Sequence, residues 1–219
     1  MVKQERAERT LRRIISGAAE QFERNGYFGT SLDDITRAAG VSKGAFYFHF
    51  SSKEQVAAAV MEIAEGRFED VMTDSPCGET VSPLQHLIDI THGINRLLHE
   101  EPVARAAVRL LREWPLETPP KFDHYSLWHE TAQKHFQLAA DRSELKEGAP
   151  KNSACALASA TLFSLEGFRR PAGSTDETQQ RLADLWDVLL PAITPVDVVD
   201  AYRTSPPEGC VEPELSRQG

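Results

Sequence analysis

The 219-residue sequence predicts an all-α protein of about nine to ten helices. Three observations carry that expectation. Apolar residues recur at spacings of three and four along almost the whole chain. No stretch of useful length alternates with period two, so strands are not expected. Gly, Pro, Asn and Ser interrupt the pattern where helices begin and end.

The elements follow in order. The first helix covers about Glu5 to Arg24 and turns Ile14, Ile15, Ala18, Ala19 and Phe22 to one face. Asn25-Gly26 ends it, because Gly accepts the left-handed conformation of a C-cap. Thr30-Ser31 offer N-cap oxygens to a short second helix that buries Leu32, Ile35 and Ala39 and stops at Gly40. Ser42 caps a third, Lys43 to His49, and Ser52 a fourth, Lys53 to about Met72. The segment Thr73 to Ser82 reads as a linker. Longer helices follow over Pro83–Glu100, Pro102–Trp114, His124–Asp141, Pro150–Phe168 and Asp176–Leu190, with a Pro-rich loop at Pro115, Pro119 and Pro120. A short turn through Val198 and Tyr202 precedes a Pro- and Glu-rich end expected to be disordered.

Composition excludes several classes. Apolar residues at 41% and charged residues at 26% are an ordinary globular balance. The charged N-terminus lacks the apolar core of a secretory signal, and Ala154–Leu165 is too short to span a bilayer. No membrane partner is expected. Cys77, Cys155 and Cys210 are odd in number and far apart, which fits free thiols in a reducing cytoplasm. The seven His residues show no metal-ligand spacing, and no phosphate loop, GxSxG or HExxH is present. Neither a metal, a cofactor nor an enzyme is expected.

The net charge of −9 argues at first against nucleic acid. Its distribution argues otherwise. Residues 1–53 hold nine Lys and Arg against six Asp and Glu, a charge of +3, which leaves −12 on the remainder. The basic part contains the most informative pattern in the chain. Leu32–Ala39, a turn at Gly40-Val41 and Ser42–His49 make a helix-turn-helix. Leu32, Ile35, Ala39, Val41, Phe46, Phe48 and Phe50 are expected to hold it together. The opposite face carries Ser42, Lys43, Gly44, Tyr47 and His49, residue types suited to a DNA backbone and groove.

TSLDDITRAAGVSKGAFYFHFSSKE strongly resembles the signature of the TetR family of regulators, over about Thr10 to Ala59. The resemblance implies a homodimer with a TetR-like fold: a three-helix DNA-binding head at 1–52, a ligand-binding and dimerisation body at 53–203, and a tail at 204–219. By matching positions it assigns Thr30, Ser42, Tyr47, His49 and Lys53 to phosphate contacts, and Lys43 and Gly44 to the major-groove floor. Lys3, Arg6, Arg9, Arg12 and Arg13 read either as phosphate-steering residues or as a solvated helix end.

In the body, Thr91 falls among Leu87, Ile88, Ile94 and Leu98, Thr131 beside Trp128, and Thr161 between Leu157 and Leu165. Each Thr also fits a core residue bonded to its own helix. Together with Trp128 they fit an apolar cavity with a few polar groups. KQERAERTLRRIISGAAEQFERNGY, GVSKGAFYFHFSSKEQVAAAV, the Pro-rich loop and RLADLWDVLLPAI are similar to the γ-butyrolactone receptor branch of the family. That resemblance implies a repressor that binds a palindromic operator and is released by a γ-butyrolactone or butenolide, with Trp128 and Thr161 lining the pocket. The alternative is a TetR-type repressor of an efflux or metabolic gene responding to an antibiotic or other apolar molecule. The implied lever is the fourth helix, through Val56 and Val60 toward the head and Ile63 and Phe68 toward the body. Ala154, Ala158 and Ala160 with Leu182, Leu185, Trp186 and Leu189 are the expected dimer face, and the cytoplasm the expected location.

Overall fold

The computed structural model describes residues 2–73, 82–113, 123–167 and 175–207, and the side chains within them except at 2–3, 161–167 and 175–176. Most of the expected linker, the Pro-rich loop, the end from 208 onward, and Cys77 and Cys210 lie outside the described residues. The helices are α1 (Val2–Asn25), α2 (Leu32–Ala39), α3 (Lys43–His49), α4 (Lys53–Thr73), α5 (Pro83–Glu100), α6 (Pro102–Arg112), α7 (His124–Asp141), α8 (Lys151–Gly167) and α9 (Thr175–Ile193). A 3-10 turn, Val196–Ala201, follows. No strand occurs among the described residues.

The chain divides into two compact units. One comprises Met1–Val71 and Leu97–Ser126, the other Met72–Arg96 and Leu127–Gly219. The unit that holds the head therefore runs on through α4 and takes in α6, beyond the expected limit at residue 52. Both α5 and α7 are continuous helices shared between the units.

In the first unit Ile14, Phe22, Ile35, Phe46, Val56, Val60 and Phe68 are fully buried. A Cβ at Gly17 would stand 2.7 Å from the Ala39 backbone nitrogen, so the crossing of α1 and α2 requires the glycine. Ser31 and Asp34 close a capping box on α2, and the Ser42 hydroxyl caps α3 by accepting from the Ala45 N–H. One expectation fails here. Phe48 is 77% exposed rather than part of the core. Phe46 and Phe50 point inward, and residue 48 lies about 200° around the helix from residue 46. Ile63 is 38% exposed.

The end of α1 is held by α6. Arg109 Nη1 donates to the Glu23 and Arg24 carbonyls at 2.8 and 2.9 Å, and Arg109 Nε pairs with Glu113 at 2.9 Å. Glu113 in turn accepts the Tyr27 N–H at 2.8 Å. Gly26, at φ +72°, lies so close to that carboxylate that a Cβ would collide with it. Arg105 Nε pairs with Glu23 at 2.6 Å, while its Nη1 donates to the Leu98 and His99 carbonyls at the end of α5.

In the second unit Leu84, Leu87, Ile88, Ile94, Trp128, Ala132, Leu182, Trp186 and Leu190 are buried. The segment after the 3-10 turn is strapped to α5. Gln85 exchanges two hydrogen bonds with the Arg203 backbone, Arg203 pairs with Asp89 at 2.6 Å, and the His92 imidazole donates to the Thr204 carbonyl at 2.7 Å. The start of the expected disordered tail is thus an ordered contact at Thr204.

Arg105→Met keeps the side-chain volume but removes the donors to Glu23 and to the Leu98 and His99 carbonyls. It is expected to cost about 2 kcal/mol in urea unfolding. A loss below about 0.5 kcal/mol would show that the clasp contributes little.

Candidate DNA-binding and ligand-binding sites

The polar face of α3 is presented to solvent. Ser42 and Gly44 are exposed and Tyr47 is 55% exposed, while His49 is half-buried. A Cβ at Gly44 would meet nothing nearer than the Ser42 hydroxyl at 3.9 Å, so the space above the backbone is open to a base edge. Lys43 projects from the first turn and pairs with Asp33 of α2 at 2.7 Å. That bond raises the Lys43 ammonium above its usual pKa, so the lysine is charged at any physiological pH. Both groups are well exposed, and a guanine or phosphate competes for the lysine at little cost.

A groove of about 550 Å³ runs beside α3. Arg6, Arg9 and Arg13 of α1 line it together with Ser42, and Arg13 donates to the Gly40 carbonyl at 2.8 Å. The structure thus gathers α1 arginines onto the α3 side, with Glu5 as the acidic member of the lining.

Two of the expected phosphate contacts are turned inward. Thr30 is 2% exposed, and its hydroxyl donates to the Gly26 and Gln21 carbonyls at 2.7 and 3.1 Å. It closes the α1–α2 loop instead of reaching solvent. Lys53 Nζ donates to the Tyr27 and Thr30 carbonyls at 2.8 and 2.9 Å and lies 4.1 Å from the Tyr27 ring centroid. The Tyr27 hydroxyl donates to Glu54 at 2.7 Å. Burial raises the Tyr27 phenol, and the same hydrogen bond lowers the Glu54 carboxyl. Lys53 thereby fixes the loop that positions α2.

The expected ligand residues have structural partners. Trp128 is 1% exposed, and its Nε1–H is spent on the Ala158 carbonyl at 3.2 Å. Thr131 donates to the Leu127 carbonyl at 2.8 Å. Thr91 donates to the Ile88 carbonyl at 2.6 Å and accepts from Trp186 Nε1 at 3.1 Å. Both threonines follow the core pattern of bonding to their own helix. Leu87 is fully buried, and the Thr161 side chain lies outside the described residues. An open groove of about 620 Å³ between α7 and α8 is bordered by His129, Glu130, Gln133, Lys134, Lys151 and Cys155, and by none of the expected ligand residues whose side chains are described. Burial raises the Cys155 thiol, which keeps it protonated.

Sequence reasoning missed a histidine pair beside Thr131. His135 Nδ1 lies 2.8 Å from the Thr131 carbonyl, and its Nε2 lies 3.0 Å from His86 Nδ1. The readable signal was the four-residue spacing of Thr131 and His135, which shares a helix face.

If Lys53 acts on the loop, Lys53→Met lowers the melting temperature by several degrees, corresponding to about 1–2 kcal/mol. An unchanged melting temperature with weakened DNA binding would return Lys53 to a phosphate role.

Residues 14–60 match the family described as bacterial regulatory proteins, tetR family, and residues 81–195 match the tetracyclin repressor-like C-terminal domain. The A-factor receptor protein of Streptomyces griseus is 28% identical over 212 residues, which span 97% of this chain and 72% of that protein. A crystal structure of a gamma-butyrolactone receptor (ArpA-like protein) aligns at TM-score 0.75 and 33% identity, over 90% of this chain and 94% of that one. CprB from Streptomyces coelicolor, in complex with its biological operator sequence, aligns at TM-score 0.73 and 32% identity over the same shares.

Proposed function

The chain belongs to the TetR family of bacterial regulatory proteins, and on that premise we propose that it is a repressor released from its operator by a γ-butyrolactone-type or butenolide-type signal. It is a DNA-binding regulator and not an enzyme. The observation that carries the ligand class is the likeness to γ-butyrolactone receptors over 90% of the chain, body as well as head.

The head contacts DNA through α3. Ser42 and Tyr47 hold phosphates, and Lys43 reads the groove floor above the open Gly44 backbone. Arg6, Arg9 and Arg13 add charge along the adjacent groove. One head of +3 binds weakly, so operator affinity rests on two heads in a homodimer. Leu157 on α8 and Leu185 and Val188 on α9 are 59%, 48% and 77% exposed in the single chain. They supply the apolar area of the dimer face, while Leu182 and Trp186 are intrachain core. The −12 remainder lies beyond the phosphates and is screened over about 8 Å at physiological salt.

Release follows when the effector favours a state whose heads no longer match successive grooves. Because α6 continues from α5 and grips the end of α1, a shift of α5 is passed to the head through Arg105 and Arg109. The fourth helix carries Val56 and Val60 in the same core. The protein acts in the cytoplasm, with its DNA.

A mobility-shift assay tests this reading, with promoter fragments from the source genome and an alkyl γ-butyrolactone as probe. Retardation that falls steeply with salt and is abolished by the lactone is expected. A retarded complex unaffected by any lactone or butenolide would contradict the ligand class. No retardation on any fragment would contradict the repressor reading.

A further inference from the structure

The His86–His135 pair has one permitted proton arrangement when neutral. His135 is 7% exposed, and burial holds its imidazole below the usual histidine pKa. Its Nδ1 faces the Thr131 carbonyl at 2.8 Å, so that nitrogen carries the proton and donates. Its Nε2 is then a lone pair. His86 Nδ1, 3.0 Å away, must donate to it, because two lone pairs repel. The rings meet edge to face, 4.9 Å between centroids at 71°, a geometry compatible with that bond. The remaining nitrogen, His86 Nε2, is left as an acceptor. It is shut off from solvent and has no hydrogen-bond partner among the described residues.

A buried acceptor without a donor is unfavourable and is satisfied by any group that brings one. The group must be a neutral donor. A carboxylate has no proton to give, and a desolvated ammonium beside a neutral imidazole is costly. Thr131 and His135 lie on the α7 face that also carries Trp128, so the acceptor belongs to the body helices already expected to hold an effector.

We propose that His86 Nε2 accepts a hydrogen bond from a hydroxyl of the effector, and that His135, anchored on the Thr131 carbonyl, fixes the tautomer that makes this possible. The inference rests on the effector reading above and narrows it to a neutral, largely apolar molecule with a free hydroxyl. His86 is the contact residue and His135 a positioning residue.

Calorimetric titration of the full-length protein tests it with two probes. One is an alkyl γ-butyrolactone bearing a hydroxymethyl group, and the other is its deoxy analogue with methyl in that place. The wild type is expected to bind the hydroxymethyl lactone about tenfold or more tighter. That preference should fall to near unity in His86→Leu and be partly kept in His86→Gln, which retains an acceptor. Nitrogen-15 spectra of the wild type should show both imidazoles protonated at Nδ1, with the bare Nε2 of His86 shifting when the hydroxymethyl lactone binds. Equal binding of both lactones by the wild type would overturn the inference and leave the lactone reading intact. A preference that survives in His86→Leu would overturn the assignment to His86. Binding of neither lactone would overturn the lactone reading itself.

Discussion

The Arg105 guanidinium joins the ends of α1 and α5 to α6. The last carbonyls of any helix lack partners within it. Arg105 supplies donors to two of them at the end of α5 and pairs with Glu23 near the end of α1. One turn further along α6, Arg109 does the same for the Glu23 and Arg24 carbonyls. Glu113 closes the set on the Tyr27 N–H. The Arg105–Glu23 pair is the best shielded of them, with side chains 13% and 28% exposed, and a charge-assisted bond is stronger there than at an open surface. These bonds tie α6 into the unit of the head although Arg105 lies 82 residues from Glu23 in sequence.

From that anchor the rest of the head is built outward. Fixing the end of α1 fixes the Tyr27–Thr30 loop, which Lys53 and the buried Thr30 hydroxyl then lock. The loop sets Ser31 at the start of α2, and α2 with the Gly17 crossing sets α3. What remains on the surface is a short helix offering Ser42, Lys43, an open Gly44 and Tyr47, flanked by α1 arginines.

Much of this was legible in the sequence. The all-helical class, the order of the elements and the helix-turn-helix followed from apolar spacing and from caps at Ser31, Gly40 and Ser42. The chain's place among TetR regulators followed from the motif around GVSKGAFYFHF. What failed was the direction of individual side chains. The resemblance assigns Lys53 and Thr30 to phosphates, whereas in the structure the Tyr27 and Thr30 carbonyls hold the lysine and the Gly26 and Gln21 carbonyls hold the threonine hydroxyl. Phe48 looked like core because it is aromatic, yet it lies on the side of α3 opposite Phe46, and the core takes Phe46 and the following C-cap residue Phe50. The Arg105–Arg109–Glu113 clasp and the histidine pair are long-range contacts. No local pattern discloses a partner 82 residues distant.

The account stands on α6 carrying the signal from the effector to α1. Hydrogen-exchange mass spectrometry of the full-length protein, with and without the hydroxymethyl lactone, tests it most directly. Protection is expected to change in peptides covering 21–30 and 102–113 as well as in α5 and α7. Operator release accompanied by changes confined to 83–96 and 127–141, with the α1–α6 clasp unaltered, would contradict it.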